Sequence, residues 1–126
     1  MRYSDLTRRY FETAPGAGTL AGAAVASGAA GSRAQGAWVR FDLRIAPAAD
    51  GAPRIAEARF LAFGCPHTIA VAAWVAEQAA GRPPSADLPR PLEEIRRQFD
   101  VPVEKLGRLL VVEDAWRAAA AAGTQI

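Results

Sequence analysis

The order of elements predicts an α+β domain: a small, mainly antiparallel sheet with helices packed on one face. Three observations carry that expectation. Val39, Phe41, Leu43 and Ile45 alternate with Arg40, Asp42 and Arg44, the period of two that marks a strand with one buried and one wet face. After an Asp50-Gly51 turn, Arg54–Phe63 alternates again, with Ala58, Phe60 and Ala62 on one face and Glu57, Arg59 and Leu61 on the other. The chain after Gly64 has helical spacing, so the order is helix, strands, helices with no βαβ alternation. A single domain over residues 1–126 accommodates all of it.

The first helix follows from Ser4, a good N-cap, and Asp5 in the first turn, where a carboxylate suits the helix dipole. It runs to about Phe11 with Leu6 and Tyr10 on one face, and Pro15-Gly16 ends it. From Ala14 to Gly36 the chain is rich in Gly, Ala and Ser, and reads as a flexible segment holding one weak strand near Leu20–Val25. No strand precedes these glycines and no Lys-Ser/Thr follows them, so they do not form a phosphate-binding loop. Beyond the hairpin, Pro66 suits the first position of a helix that runs to about Ala80 and stops at Gly81 and Pro83-Pro84. Its residues are apolar almost all round, from Ile69 to Ala76, so it packs on more than one side. Pro91 starts a helix carrying Leu92, Ile95 and Phe99. Val101-Pro102-Val103 interrupts, and a last helix places Leu109, Val112, Trp116 and Ala119 on one stripe. Trp38, Trp74 and Trp116 read as core or interface residues, and Arg40, Asp42 and Arg44 as a solvated strand face.

Composition excludes several classes of function. Hydrophobic residues make up 51% and charged residues 22%, the balance of a globular chain rather than a disordered one. The net charge of +2 and the lack of basic runs interleaved with aromatics argue against nucleic acid. The start lacks the apolar stretch of a signal peptide and no apolar run is long enough for a bilayer, so the expected compartment is the cytoplasm, without membrane attachment. A single cysteine rules out an internal disulfide framework and a closed site built from this chain's thiols alone.

That cysteine, Cys65, sits in Phe63-Gly64-Cys65-Pro66-His67, where a strand turns into a helix, and the chain's only histidine lies two residues on. Two readings of Cys65 stand side by side. A thiol at a helix N-terminus is biased toward thiolate and is reactive; a free cysteine at a tight turn is also a common small buried residue. His67 reads as a ligand or base, or as a partly exposed polar residue at a helix start. Cys65 and His67 are the candidate metal ligands, and no catalytic residue is assigned.

Several short motifs, in consistent order over most of the chain, resemble the U-type iron–sulfur cluster assembly scaffolds, the IscU/NifU N-terminal family. They are Tyr3-Ser4-Asp5 before a short helix, Ile55-Ala56-Glu57-Ala58-Arg59-Phe60, Phe63-Gly64-Cys65 opening a helix, and Glu113-Asp114-Ala115-Trp116-Arg117-Ala118-Ala119. The resemblance implies the family's fold and a cluster site of three cysteines, an aspartate and often a histidine. The Ala-Cys-Gly-Asp turn corresponds here to Ala34-Gln35-Gly36-Ala37, the second cysteine to Cys65, and the adjacent histidine and cysteine to Gly107-Arg108. The segment Leu-Pro-Pro-Val-Lys, recognised in the family by a dedicated chaperone, corresponds to Val101-Pro102-Val103-Glu104-Lys105, so that motif is degraded.

One Cys and one His cannot hold a [2Fe–2S] cluster within a monomer. The resemblance therefore implies a scaffold-like, non-enzymatic protein with a degenerate site, in an accessory, sulfur-accepting or partner-binding role beside a cysteine desulfurase or chaperone. Two alternatives remain. A homodimer could supply Cys65 and His67 from each protomer to one [2Fe–2S] cluster, any iron–sulfur cluster or metal ion needing ligands from a second chain or from outside the protein. Alternatively, Cys65 could be the nucleophile of a thiol enzyme, which would need a third group to orient the base.

Overall fold

The computed structural model describes residues 2–125. Helix α1 (Asp5–Thr13) leads into strands β1 (Val25–Ser32), β2 (Ala37–Pro47) and β3 (Pro53–Phe63). Helices α2 (Pro66–Ala79) and α3 (Leu92–Gln98) follow, then a 3-10 turn (Val103–Lys105) that runs directly into α4 (Leu106–Gly123). The three strands form one antiparallel sheet in the order β1-β2-β3. The expected α+β class and antiparallel hairpin are both present.

The inner face of β2 carries Val39, Phe41 and Leu43, all fully buried, opposite Ala62, Phe60 and Ala58 of β3. Helix α2 packs between α1 and β3, and α4 packs on β1 and β2. Trp116 of α4 meets Phe41 edge to face at 5.5 Å, and its indole N–H reaches the carbonyls of Ser85 and Asp87 at 3.0 and 3.1 Å. A large ring is thereby buried with its one polar atom satisfied. As its apolar circumference requires, α2 is buried on several sides, with Val71, Val75 and Ala73 fully enclosed.

Strand β1 corrects the sequence reading. The stretch expected to be flexible, with a weak strand at Leu20–Val25, holds an eight-residue strand that begins where the expected one ends. Its side chains carry little β propensity, and the strand is stabilised from outside. Ala26, Gly28 and Ala30 face α4, whose contact side is equally small: Ala115, Ala119 and Gly123. A Cβ built on Gly28 would lie 2.1 Å from the Ala119 nitrogen and 2.5 Å from the Ala118 carbonyl carbon. Only a side chain of hydrogen lets strand and helix backbones meet this closely.

A second correction concerns the outer face. Asp42 was expected in solvent with Arg40 and Arg44, yet it is 1% exposed. The chain between α1 and β1 passes along the edge of β3, where Gly18 N–H donates to Phe60 O and Phe60 N–H to Gly16 O. It then crosses the outer face to reach β1. Asp42 pins this strap, accepting from the Leu20 N–H at 3.0 Å, the Ser27 hydroxyl at 2.7 Å and Arg40 Nε at 2.8 Å. Burial pushes its carboxyl up, but those three donors and the Arg40 charge outweigh it and hold the pKa below the usual value.

The other end of the molecule is clamped by a single carbonyl. Phe99 O accepts from the Thr7 hydroxyl at 2.8 Å and the Ser4 hydroxyl at 3.1 Å, and Ser4 also accepts from the Thr7 N–H as N-cap of α1. The start of the chain is thus bound to the segment that leads from α3 to the 3-10 turn.

Gly28→Ala tests the close approach of β1 and α4. Because the atoms in the way are backbone, the substitution is expected to destabilise by ~3 kcal/mol or more. Gly107→Ala, a helical position with nothing within 4 Å of the added carbon, is expected to be neutral or to stabilise by up to ~1 kcal/mol. Urea unfolding of both variants beside wild type measures the contrast.

Candidate functional site

Strand β3 ends at Phe63, Gly64 turns at φ 153°, and Cys65 is the N-cap of α2 with Pro66 in the first turn. The turn disfavours larger residues, through that φ and because a Cβ on Gly64 would stand 3.1 Å from the Thr68 side chain. Cys65 is half-buried and its sulfur lies 3.7 Å from the Thr68 hydroxyl. It forms no side-chain cap hydrogen bond, so the pull of the helix end on the sulfur is electrostatic rather than a formed bond. Burial pushes the thiol pKa up. The backbone N–H and hydroxyl of Thr68, the His67 N–H and the Lys105 ammonium together outweigh that and hold it below its ordinary value.

His67 is 1% exposed, not the partly exposed residue that is one of its sequence readings. Its ring packs edge to face on Tyr3 with centroids 4.7 Å apart. The Lys105 Nζ lies 3.3 Å from His67 Nδ1 and 4.0 Å from Cys65 Sγ, and 5.5 Å from the centroid of the Tyr3 ring. An ammonium only donates, so Nδ1 is the acceptor and the imidazole is neutral with its proton on Nε2. Burial, then the Lys105 charge, lower the His67 pKa to about 4, with Arg108 adding to this and Asp100 opposing it.

The positions that the resemblance sets against the family's other ligands lie together. Gln35, Ala37, Gly107 and Arg108 line one concavity of about 340 Å³, together with Glu104 and Lys105. Lys105 links its wall to Cys65 and His67. Among the described residues, no three His, Cys, Asp or Glu side chains stand close enough to share a metal ion. The donor set of one chain therefore does not fit a cluster, and Cys65 with His67 falls short of a closed metal site.

Sequence reasoning placed Cys65 and His67 at one turn but missed what joins them. Lys105 was read only as part of a chaperone motif. Tyr3 was likewise read as part of a terminal motif, and the Phe99 clamp brings that terminus to the site.

Two measurements check the electrostatics. The unfolded chain protonates its histidine near pH 6.5, the native chain only near pH 4. Stability is thus fully present above about pH 6.5 and is lost as pH falls toward 4. Denaturation from pH 7 to pH 4.5 is expected to show a steeper loss for wild type than for His67→Gln. For Cys65, the iodoacetamide rate is expected to rise with a midpoint below that of a free cysteine, and both Thr68→Val and Lys105→Met are expected to move it upward.

Comparison with known proteins agrees with this architecture. The model of the NifU-like N-terminal domain matches residues 2–124. A crystal structure from the thermophile Fervidobacterium islandicum AW-1, of a protein assigned as an iron–sulfur cluster assembly scaffold for the SUF system, aligns with a TM-score of 0.66 at 15% identity. The alignment covers 94% of this chain and 96% of that one. At that identity the likeness shows a shared fold. No curated protein matches the chain. No helix of the described residues is long and apolar enough to cross a membrane.

Proposed function

Because the chain belongs to the NifU-like N-terminal domain family, we propose that it is a scaffold-like protein of iron–sulfur cluster assembly that accepts sulfur on Cys65 and docks assembly partners, without holding a cluster within one chain. The observation that carries this reading is a half-buried thiol whose pKa is held below its ordinary value, in a site with no other thiol and, among the described residues, no three-donor set. The fold shared with the SUF-system protein supports the setting.

The chemistry is a sulfur transfer. Cys65 thiolate attacks the outer sulfur of a donor persulfide, R–S–SH. The donor's S–S bond breaks, R–S⁻ leaves, and Cys65 carries the persulfide. The Lys105 ammonium and the Arg108 guanidinium lie on the side where negative charge is carried. A cysteine desulfurase is the class of donor that fits, in the cytoplasm. Chaperone docking is the weaker partner assignment, because Lys105, the last residue of the degraded motif, is drawn into contact with Cys65 and His67.

The thiol-enzyme alternative asks His67 to act as base. An imidazole with a pKa of about 4 whose Nδ1 already accepts from Lys105 serves poorly in that role, which favours a non-enzymatic protein. The shared-cluster dimer would require His67, 1% exposed, to turn outward.

Anaerobic incubation with a persulfide-loaded cysteine desulfurase tests the proposal. Wild type is expected to gain the mass of one sulfur atom, lost on reduction, and Cys65→Ser to gain none. Iron–sulfide reconstitution is expected to leave the protein colourless. No sulfur on Cys65 would remove the acceptor role, and a coloured dimer containing iron and sulfide would replace this reading with the shared cluster.

A further inference from the structure

We infer that the outer face of the sheet, at the end where β3 runs toward Cys65, is the docking surface for the protein that hands sulfur to that thiol, and that this partner meets it with an apolar side chain flanked by carboxylates. The inference rests on the sulfur-acceptor reading and adds to it a surface and the chemistry of its occupant.

Helices cover the face of the sheet that carries Val39, Phe41 and Leu43, and the strap reaches the opposite face at Asp42. From Asp42 toward Cys65, that outer face presents Arg40 paired with Leu61 and Trp38 paired with Phe63. Phe63 is 42% and Leu61 37% exposed, and two positions apart on one strand they stand side by side. Trp38, Phe63 and Arg33 line a concavity of about 340 Å³, a seat for one anchoring side chain. The Arg33 guanidinium lies 5.1 Å from the centroid of the Phe63 ring. Aromatic residues and arginine are the residues from which the energetic centres of protein interfaces are built.

Charge decides which occupant fits. The outer face carries Arg33, Arg40, Arg44 and Arg59 against Asp42 and Glu57, and the strap, residues 14–24, carries no charge. Asp42 is buried and already accepts from three donors, so on this face Glu57 alone shows a carboxylate to solvent. Arg33 is exposed and enters none of the ion pairs formed there by the other three arginines. A second copy of this face would bring the same positive excess against it, which disfavours a two-fold pair. Nucleic acid fits less well than protein. Arg40, Arg44 and Arg59 are held in ion pairs and the Phe63 ring already bears Arg33, so neither a free basic track nor an open stacking platform is left. An acidic protein surface with an apolar centre complements both the charge and the exposed rings. Location names the partner's task, because only Gly64 separates Phe63 from Cys65.

Loading of Cys65 is followed by mass against the concentration of a persulfide-loaded cysteine desulfurase, and separately with cysteine persulfide, a donor too small to need the surface. Arg33→Glu and Leu61→Asp, at exposed positions, are compared with wild type. Each is expected to raise the half-saturating desulfurase concentration at least ~10-fold, with the final loading and the rate from cysteine persulfide unchanged. Half-saturation unchanged in both variants, or displacement of the desulfurase by a single-stranded oligonucleotide, would overturn the surface while loading from cysteine persulfide upholds the acceptor thiol. An equal loss with both donors would overturn it too, since that marks damage at the thiol itself. Wild type loaded by neither donor removes the acceptor role, and the inference falls with it.

Discussion

The fold depends on how closely one helix can lie against one strand. At Gly28 the backbones of β1 and α4 approach until no side chain fits between them, and dispersion between two main chains replaces the usual interdigitation of large side chains. This seats α4 low on the sheet and fixes the height of its first turn. Lys105, Gly107 and Arg108 are placed by that height, at the end of the sheet where β3 turns into α2. The site's electrostatics are thus a consequence of packing some distance away.

Around that arrangement, two single acceptors hold long stretches of chain. The Asp42 carboxylate fixes the strap between α1 and β1, and the Phe99 carbonyl fixes the chain start against the approach to α4. Each gathers two or three donors into a poorly solvated place, where a hydrogen bond is strong and its loss is costly. The first covers Asp42 on an outer face whose other charged side chains stay partly exposed. The second brings Tyr3 to His67 and so completes the surroundings of the ammonium. The same lysine favours the thiolate of Cys65 and disfavours the imidazolium of His67, so one charge draws both groups toward their deprotonated forms.

Much of this was legible in the sequence, for identifiable reasons. Val39 to Ile45 and Arg54 to Phe63 announce themselves because each alternates large apolar with charged residues. The α2 start is plain from Gly64-Cys65-Pro66, where a positive φ, a cap and a proline occur in order. β1 was missed because Val-Ala-Ser-Gly-Ala-Ala-Gly-Ser has no period of its own, and its strand character is imposed by α4. Asp42 was misjudged because alternation tells which face a residue takes, not whether another segment covers that face. His67 and Lys105 were not paired because 38 residues separate them and no local pattern links a helix start to a distant 3-10 turn.

β1 also lies at one edge of the sheet. An edge strand is a template on which another chain can add, and proteins commonly guard such edges with charges, proline or bulges. β1 has none of these within Val25–Ser32. Its protection is of another kind. An intermolecular cross-β stack is held by interdigitating side chains, and segments rich in glycine make poor ones. The scarcity of side-chain atoms that lets α4 settle onto β1 therefore also leaves little for a second molecule to grip.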